Sequence, residues 1–282
     1  MTPARGTLYV VATPIGNLED VTLRALRILK EADLIACEDT RQTRKLLDHY
    51  GISKRTVSYH EHNEAERAGE LVEEMGSGAS VALVSDAGMP GISDPGYRLV
   101  SMAAQRGIPV VPVPGASAFV AALAASGLPT DSFRFGGFLP AKRGARRDAL
   151  TAIRESPNTE IFYEAPHRLP EALEDVVEVL GPERPVVVAR EVTKLHEEFL
   201  RGGAAELLEK LRARPIKGEC TLLIGKAEQG TVTGEQELEL ATRLRQLMEE
   251  RKLDEKSALK IAAKELGVSR SEAYRRLQRA RR

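Results

Sequence analysis

Cysteine is scarce in this chain: 282 residues carry two, Cys37 and Cys220, far apart and without metal-ligand spacing. That argues against a disulfide framework and a zinc site, and for small buried thiols in a reducing cytoplasm. No apolar run approaches the length needed to cross a bilayer. Residues 1–6 lead directly into a strand-like segment, so no signal peptide is expected and the predicted location is cytoplasmic. Net charge is absent too, with 41 basic against 41 acidic side chains, so any attraction to polyanions must be local. Neither a phosphate loop ending in Gly-Lys-Ser/Thr nor a dinucleotide fingerprint occurs, which disfavours nucleotide hydrolysis and hydride transfer. There is no internal repeat and no low-complexity segment.

Short apolar strands alternating with amphipathic helices are present instead. Strands are expected at 8–12, 34–37, 81–84 and 110–113, with helices at 21–30, through Leu46 and Leu47, at 64–75, and from about Tyr97. This alternation predicts an α/β domain with a largely parallel sheet. A second α/β pattern follows, with strands at 132–138, 160–164, 185–190, 199–201 and 220–225 and helices at 145–154, 169–180 and 204–211. The expected divisions are an N-terminal α/β domain over 1–115, a second over 116–230, and a helical module over 237–282, with residues 227–236 as linker.

The charge balance hides two basic clusters, one at Lys142, Arg143, Arg146 and Arg147 and one over 269–282, where six arginines face a single acid. In the tail, a helix ending at Gly267, a short turn, and Ser269 opening a basic helix match a helix-turn-helix pattern. Ser269 and Glu272 have capping-box spacing. Two readings stay open for this tail: a nucleic-acid contact, or a packing module that supports a dimer.

Loops rich in small residues follow several strands: Thr13-Pro14-Ile15-Gly16-Asn17-Leu18, Glu38-Asp39-Thr40-Arg41, residues 85–96 and Pro114-Gly115-Ala116-Ser117. The third holds three glycines and two prolines, a composition that brings backbone close to a ligand. Asp94 reads either as part of that ligand loop or as a helix N-cap. In an open α/β sheet such loops converge on the crevice beyond the carboxyl ends of the strands. A pocket of backbone carbonyls, hydroxyls and carboxylates suits a cationic or adenosine-bearing cofactor better than bare phosphates.

Residues 85–96, Ser-Asp-Ala-Gly-Met-Pro-Gly-Ile-Ser-Asp-Pro-Gly, resemble the signature of the ribosomal RNA small subunit methyltransferase I family, the RNA-acting branch of the tetrapyrrole methylases. Further matches run in order from residue 6 to 225: Ala12 to Leu18, Glu38 to Arg41, Val113 to Ser117, Gly137 to Pro140, Phe162 to Arg168, Arg190 to Glu198 and Lys217 to Glu219. Met89 and Gly91 depart from the family's small or apolar residues, such as Thr and Leu, at those places. The resemblance implies two α/β domains with a cleft between them, a small C-terminal helical module, S-adenosyl-L-methionine as cofactor and a homodimer. It also implies methylation of the ribose 2′-hydroxyl of cytidine 1402 (ribosomal numbering) in the 16S rRNA of the small ribosomal subunit, with no metal and no membrane.

On that reading the cofactor contacts are expected at Pro14, Ser85, Asp86, Ala87, Gly88, Asp94, Ser117 and Ala118 of the first domain. Phe162, Tyr163, Pro166, Val192 and Gly218 are expected from the second; for the apolar ones, core packing is the competing explanation. Met89 is either a soft wall near the sulfonium or simple packing. A ribose hydroxyl needs its proton accepted as the new bond forms. Glu164 is the first candidate, with Glu191 and Lys194 as alternatives; Glu164 is otherwise a carboxylate held structurally by Arg168 or His167. His167 reads as a helix-start residue. Arg41, Lys142, Arg143, Arg146, Arg147, Arg275 and Arg276 are the expected RNA contacts, although Asp39 and Arg41 also read as a structural pair at a helix start. Two rivals remain open here. One is a tetrapyrrole C-methyltransferase of the same fold, against which the basic clusters speak; the other is a non-catalytic nucleic-acid-binding regulator.

Overall fold

A computed structural model describes residues 6–227, 234–251 and 253–266, with Ala273 and Leu277. Its compact units are Met1–Lys226 and Ala227–Arg282. In the first unit, β1 (Leu8–Val11), β2 (Leu34–Cys37), β3 (Arg55–Ser58), β4 (Val81–Val84) and β5 (Val110–Val113) form a parallel sheet in the order β3-β2-β4-β1-β5. Every residue of β2 and β4 is buried, which is why both read as unbroken apolar runs rather than alternating ones. Their period of two still sorts side chains between layers. Leu34, Ala36, Val81 and Leu83 pack with α3 (Glu64–Gly76) and α4 (Tyr97–Gln105). Ile35, Cys37, Ala82 and Val84 pack with α1 (Leu23–Glu31) and α2 (Thr40–His49).

Local chemistry sets the helix starts. The Thr22 hydroxyl accepts the Ala25 N–H at 3.0 Å to open α1, and Asp39 accepts the Arg41 N–H at 2.8 Å to open α2. The short edge strand β3 was not anticipated, because its polar Arg-Thr-Val-Ser sequence carries no alternating apolar signal.

The next helix, α5 (Ala118–Ser126), leaves the first sheet and packs on the second, and its uniformly apolar sequence showed no face by which to assign it. The second sheet orders β6 (Phe133–Phe138), β7 (Thr159–Glu164), β10 (Cys220–Ile224), β8 (Pro185–Arg190) and β9 (Glu198–Gly203) side by side. Only β6 and β7 are parallel; the other pairs are antiparallel. One face packs on α6 (Arg143–Ala152), α7 (Leu169–Leu180) and α8 (Ala204–Ala213). The other packs on α5 and on Ile15 from the first sheet's loops, so the two sheets meet there.

Arg146 corrects one expectation. It is 1% exposed, and its Nε donates to Asp175 Oδ2 at 2.8 Å inside the α6–α7 contact, so it anchors helices instead of facing RNA. Arg143 also donates to Asp175, at 3.0 Å, and Arg147 pairs with Glu178. Burial pushes the Asp175 carboxyl up, but the Arg146 and Arg143 guanidinium groups prevail and hold it below its ordinary value.

In the second unit, α9 (Gly234–Arg251) starts inside the stretch expected as linker. Its Leu240, Leu244 and Leu247 pack with Ala258, Leu259, Ala262 and Ala263 of α10 (Glu255–Glu265). The basic helix expected from Ser269, its capping box, and Arg275 and Arg276 lie outside the described residues. Among the described residues no helix is long and apolar enough to cross a membrane, and no group of three or more His, Cys, Asp or Glu could hold a metal ion.

Asp175→Ala strands the buried Arg146 charge and is expected to cost about 3–5 kcal/mol in urea unfolding. Because Asp175 titrates below its unfolded value, its contribution is present at neutral pH and is lost as the pH falls through the carboxylate range. The difference between wild type and variant should therefore shrink in acid.

Candidate active site

The loops after β1 and β4 are joined by backbone. Thr13 N–H donates to the Gly88 carbonyl at 2.9 Å and Gly88 N–H returns a bond to the Thr13 carbonyl at 3.1 Å. The Thr13 hydroxyl adds a 3.0 Å bond to the Ser85 carbonyl. Gly88 sits at φ +83°, and a Cβ there would approach Ile15 Cγ2 to 3.3 Å. The position therefore suits glycine, and its bare backbone helps to form a cavity wall.

That cavity has a volume of about 410 Å³ and lies where the two sheets meet, within the first unit. Of the residues singled out in the sequence, Ala87, Gly88, Asp94, Ser117 and Ala118 line it from the first-sheet side, and Tyr163, Glu164, Pro166, Val192 and Gly218 from the second. Other expected residues have different placements. Pro14 is buried and does not line the cavity, whereas its neighbour Ile15 does. Ser85 is 2% exposed, with its hydroxyl 3.3 Å from the Gly88 carbonyl. Asp86 Oδ1 accepts the Asp39 N–H at 3.0 Å, tying the β2 and β4 loops together. Phe162 belongs to the α6–α8 core on the far face of the second sheet, since side chains along β7 alternate and Tyr163 takes the cavity side. Ser85 and Asp86 thus brace the loops that form the wall.

Sequence reasoning missed Ile92, Ser93, Phe138, Ala165, Ala189, Glu219, Cys220 and Thr221, all of which line the cavity. Met89 also lines it, though it packs against the first core as well. Ile92 and Ser93 fall within the 85–96 loop. Only the run of loop residues at the end of β4 could have signalled them.

The electrostatics favour a cation. Burial raises the Asp94 carboxyl, the Ser85 hydrogen bond opposes this, and Asp86 adds a repulsive push. Burial also raises Glu38, helped by Asp94 and Asp86, and raises Asp86 itself. Asp39 goes the other way, down to about 2, because the Arg41 side chain donates to it. Arg41 is thus paired while its side chain is 87% exposed at the rim of the strand ends.

Glu164 is the most unusual carboxylate. Its Oε1 accepts the Ala165 N–H at 2.8 Å and lies 3.3 Å from Arg168 Nε, but its buried Oε2 has no hydrogen-bond partner. Burial pushes its carboxyl up, against the pull of the Ala165 N–H and Arg168. His167 is exposed beside the start of α7 and is not among the cavity-lining residues.

Glu191 and Lys194 come together, but against Glu219 and outside the cavity lining. Lys194 Nζ lies 2.9 Å from Glu191 Oε1 and 3.0 Å from Glu219 Oε2, while Glu191 Oε1 also accepts the Glu219 N–H at 2.9 Å. A Cβ on Gly218 would fall 2.5 Å from Glu191 Cδ, so the brace presses directly on the wall. The Glu219 N–H and Lys194 hold Glu191 below its ordinary value. Burial opposes the Lys194 charge, but Glu191 and Glu219 outweigh it. This brace supports the 218–221 wall, with Glu191 Oε1 and Lys194 Nζ both engaged in it.

A tetrapyrrole (corrin/porphyrin) methylase family profile matches residues 7–208. A ribosomal RNA small subunit methyltransferase I from Halalkalibacterium halodurans is 56% identical over 80% of this chain and 78% of its own. Its counterpart from Mesorhizobium japonicum is 48% identical over 98% and 92%. Among solved structures, a diphthine synthase superimposes with a TM-score of 0.61 at 16% identity, covering 78% of this chain and 90% of its own, a likeness of fold.

S-adenosylmethionine fits the cavity on three counts. The volume is in the range of small-ligand sites, the Gly88 wall leaves room for close backbone approach, and half-buried Asp94 offers a counter-charge to a cation. Asp94→Asn is expected to weaken S-adenosylmethionine binding about tenfold in calorimetry, the scale of one charged hydrogen bond. The wild type should lose affinity as the pH falls through the raised Asp94 value, and the variant should not. Equal pH profiles would remove Asp94 from cation binding.

Proposed function

Because the chain belongs to the tetrapyrrole methylases, and within them to the ribosomal RNA small subunit methyltransferase I family, we propose that it methylates the ribose 2′-hydroxyl of a 16S rRNA cytidine, the one at position 1402. The observation that carries the chemical part is Glu164, a buried carboxylate in the cavity wall with one oxygen anchored and the other unpartnered.

S-adenosylmethionine supplies, when bound, an electrophilic methyl group on a sulfonium. The protein's part is positioning and proton transfer. A ribose hydroxyl is a poor nucleophile until a base takes its proton during bond formation. The Ala165 N–H and Arg168 fix Glu164 through Oε1, which leaves Oε2 to accept that proton. Burial makes the carboxylate a stronger base than an exposed glutamate. The apolar walls at Ile15, Ala189 and Val192 limit water around the reacting oxygen.

Lys142, exposed at the start of α6, Arg143, with a 60% exposed side chain, and Arg41 supply cations for phosphates. Arg147 is also partly exposed, though its charge is shared with Glu178. A homodimer belongs to the same proposal: Val120 and Phe133 are 49% and 46% exposed, apolar surface that a second copy would cover. An rRNA acceptor places the reaction in the cytoplasm. A tetrapyrrole acceptor has no observation in its favour beyond the shared fold.

The test is transfer of labelled methyl to 30S subunits against uroporphyrinogen. Label is expected in 16S rRNA, at a linkage that resists alkaline cleavage because the 2′-oxygen is blocked. Label in the tetrapyrrole, or on a base, overturns the proposal. Glu164→Gln is expected to lower kcat about 10²- to 10⁴-fold while leaving S-adenosylmethionine affinity unchanged. Wild-type kcat should fall as the pH drops through the raised Glu164 value, and the variant should lose that limb.

A further inference from the structure

Phe138 is a large aromatic side chain left 59% exposed at the rim of the cavity. Its direction is the work of a β-bulge. In the β6–β7 pairing Phe135 lies opposite Ile161 and Phe138 opposite Tyr163, so β6 spends one extra residue over that interval. On a regular strand, residues three apart point to opposite faces. The extra residue brings both phenylalanines to the Tyr163 side, with ring centroids 4.9 Å and 5.6 Å from Tyr163.

The bulge is built from Gly136 and Gly137. A Cβ on Gly136 would fall 2.4 Å from Phe162 Cε1, and Gly137 adopts φ +67°. A Cβ on Gly137 would lie 3.8 Å from Ser93 Oγ, which sets the 91–95 loop beside the bulge. Ser93 itself holds φ +61°, a strained value for serine. Its neighbour Ile92 is 42% exposed and lines the same rim. A glycine bulge and a strained turn thus hold apolar side chains at the entrance, one strand position from Glu164.

From this geometry, and resting on the RNA reading above, we propose that Phe138 is a stacking platform for an unstacked nucleobase of the RNA substrate, with Ile92 as the flanking apolar wall. A ribose can reach a buried carboxylate only if its nucleotide leaves the helical stack, and a displaced base then needs a face to rest on. Phe138 offers that face beside Tyr163, so the attached ribose is presented toward Glu164 on the same strand end.

The test is steady-state methyl transfer to 30S subunits by Phe138→Ala and Phe138→Tyr, with S-adenosylmethionine affinity measured by calorimetry. Base–aromatic stacking predicts an increase in KM for subunits of about 5- to 100-fold in Phe138→Ala, with cofactor affinity unchanged and with recovery in Phe138→Tyr. An unchanged KM overturns the proposal. So does a matching loss of cofactor affinity, which would make Phe138 part of the cofactor wall. Wild-type enzyme that leaves subunits unlabelled overturns the RNA reading and this one with it; labelled subunits with an unaltered Phe138→Ala overturn the platform alone.

Discussion

Two backbone hydrogen bonds between Thr13 and Gly88 hold the loops after β1 and β4 together, and the cavity depends on that join. Adjacent parallel strands can send their loops in different directions, which opens a crevice at their carboxyl ends. Without a cross-link, a Gly/Pro-rich loop of this length would sample many shapes. The bridge removes that freedom at the point where Ile15 and Gly88 become wall, and the Ser85 and Asp86 side chains extend it to their neighbours. Ile15 then reaches the second sheet's apolar face, so one join positions both the cavity floor and the contact between sheets.

Charge is distributed with a similar division of labour. Basic side chains of α6 are largely consumed by Asp175 and Glu178 inside the second α/β layer, while at the first sheet's strand ends Asp39 takes Arg41 and burial raises Glu38, Asp86 and Asp94. A neutral chain thereby keeps an acidic interior site for a cation and leaves Arg41 and Lys142 at its surface. Buried ion pairs contribute little net stability, so the Arg146–Asp175 pair is better understood as fixing how α6 sits on α7.

Backbone strain is concentrated at the same place. Ser93, Glu191 and Thr193, the non-glycine residues with positive φ among those described, all belong to the loops around the cavity. Such conformations persist only where neighbours over-determine them. The Lys194–Glu191–Glu219 brace does so on one side, and the Gly137 bulge beside Ser93 on the other.

Strand positions were legible from the residues themselves, because short apolar runs between Gly/Pro turns have few other ways to bury themselves. Residues 34–37, 81–84 and 110–113 formed strands with the expected limits, and the loops after them carry much of the cavity wall. Glu164 stood out as a carboxylate at a strand end. The direction of each side chain was another matter. Alternation says that Phe162 and Tyr163 point opposite ways, but not which face meets helices and which meets the cavity; α5 and Ile15 decide that by packing on one side. Asp86 turned to the Asp39 N–H, 47 residues away in sequence, and Arg146 to Asp175, while the Ser85 hydroxyl turned back on its own loop at Gly88. Phe138 needed a bulge visible only once β6 and β7 were paired. Local sequence determined the elements and the chemistry at their ends. Tertiary structure alone decided which of those groups share a space, since that depends on contacts between residues far apart in the chain.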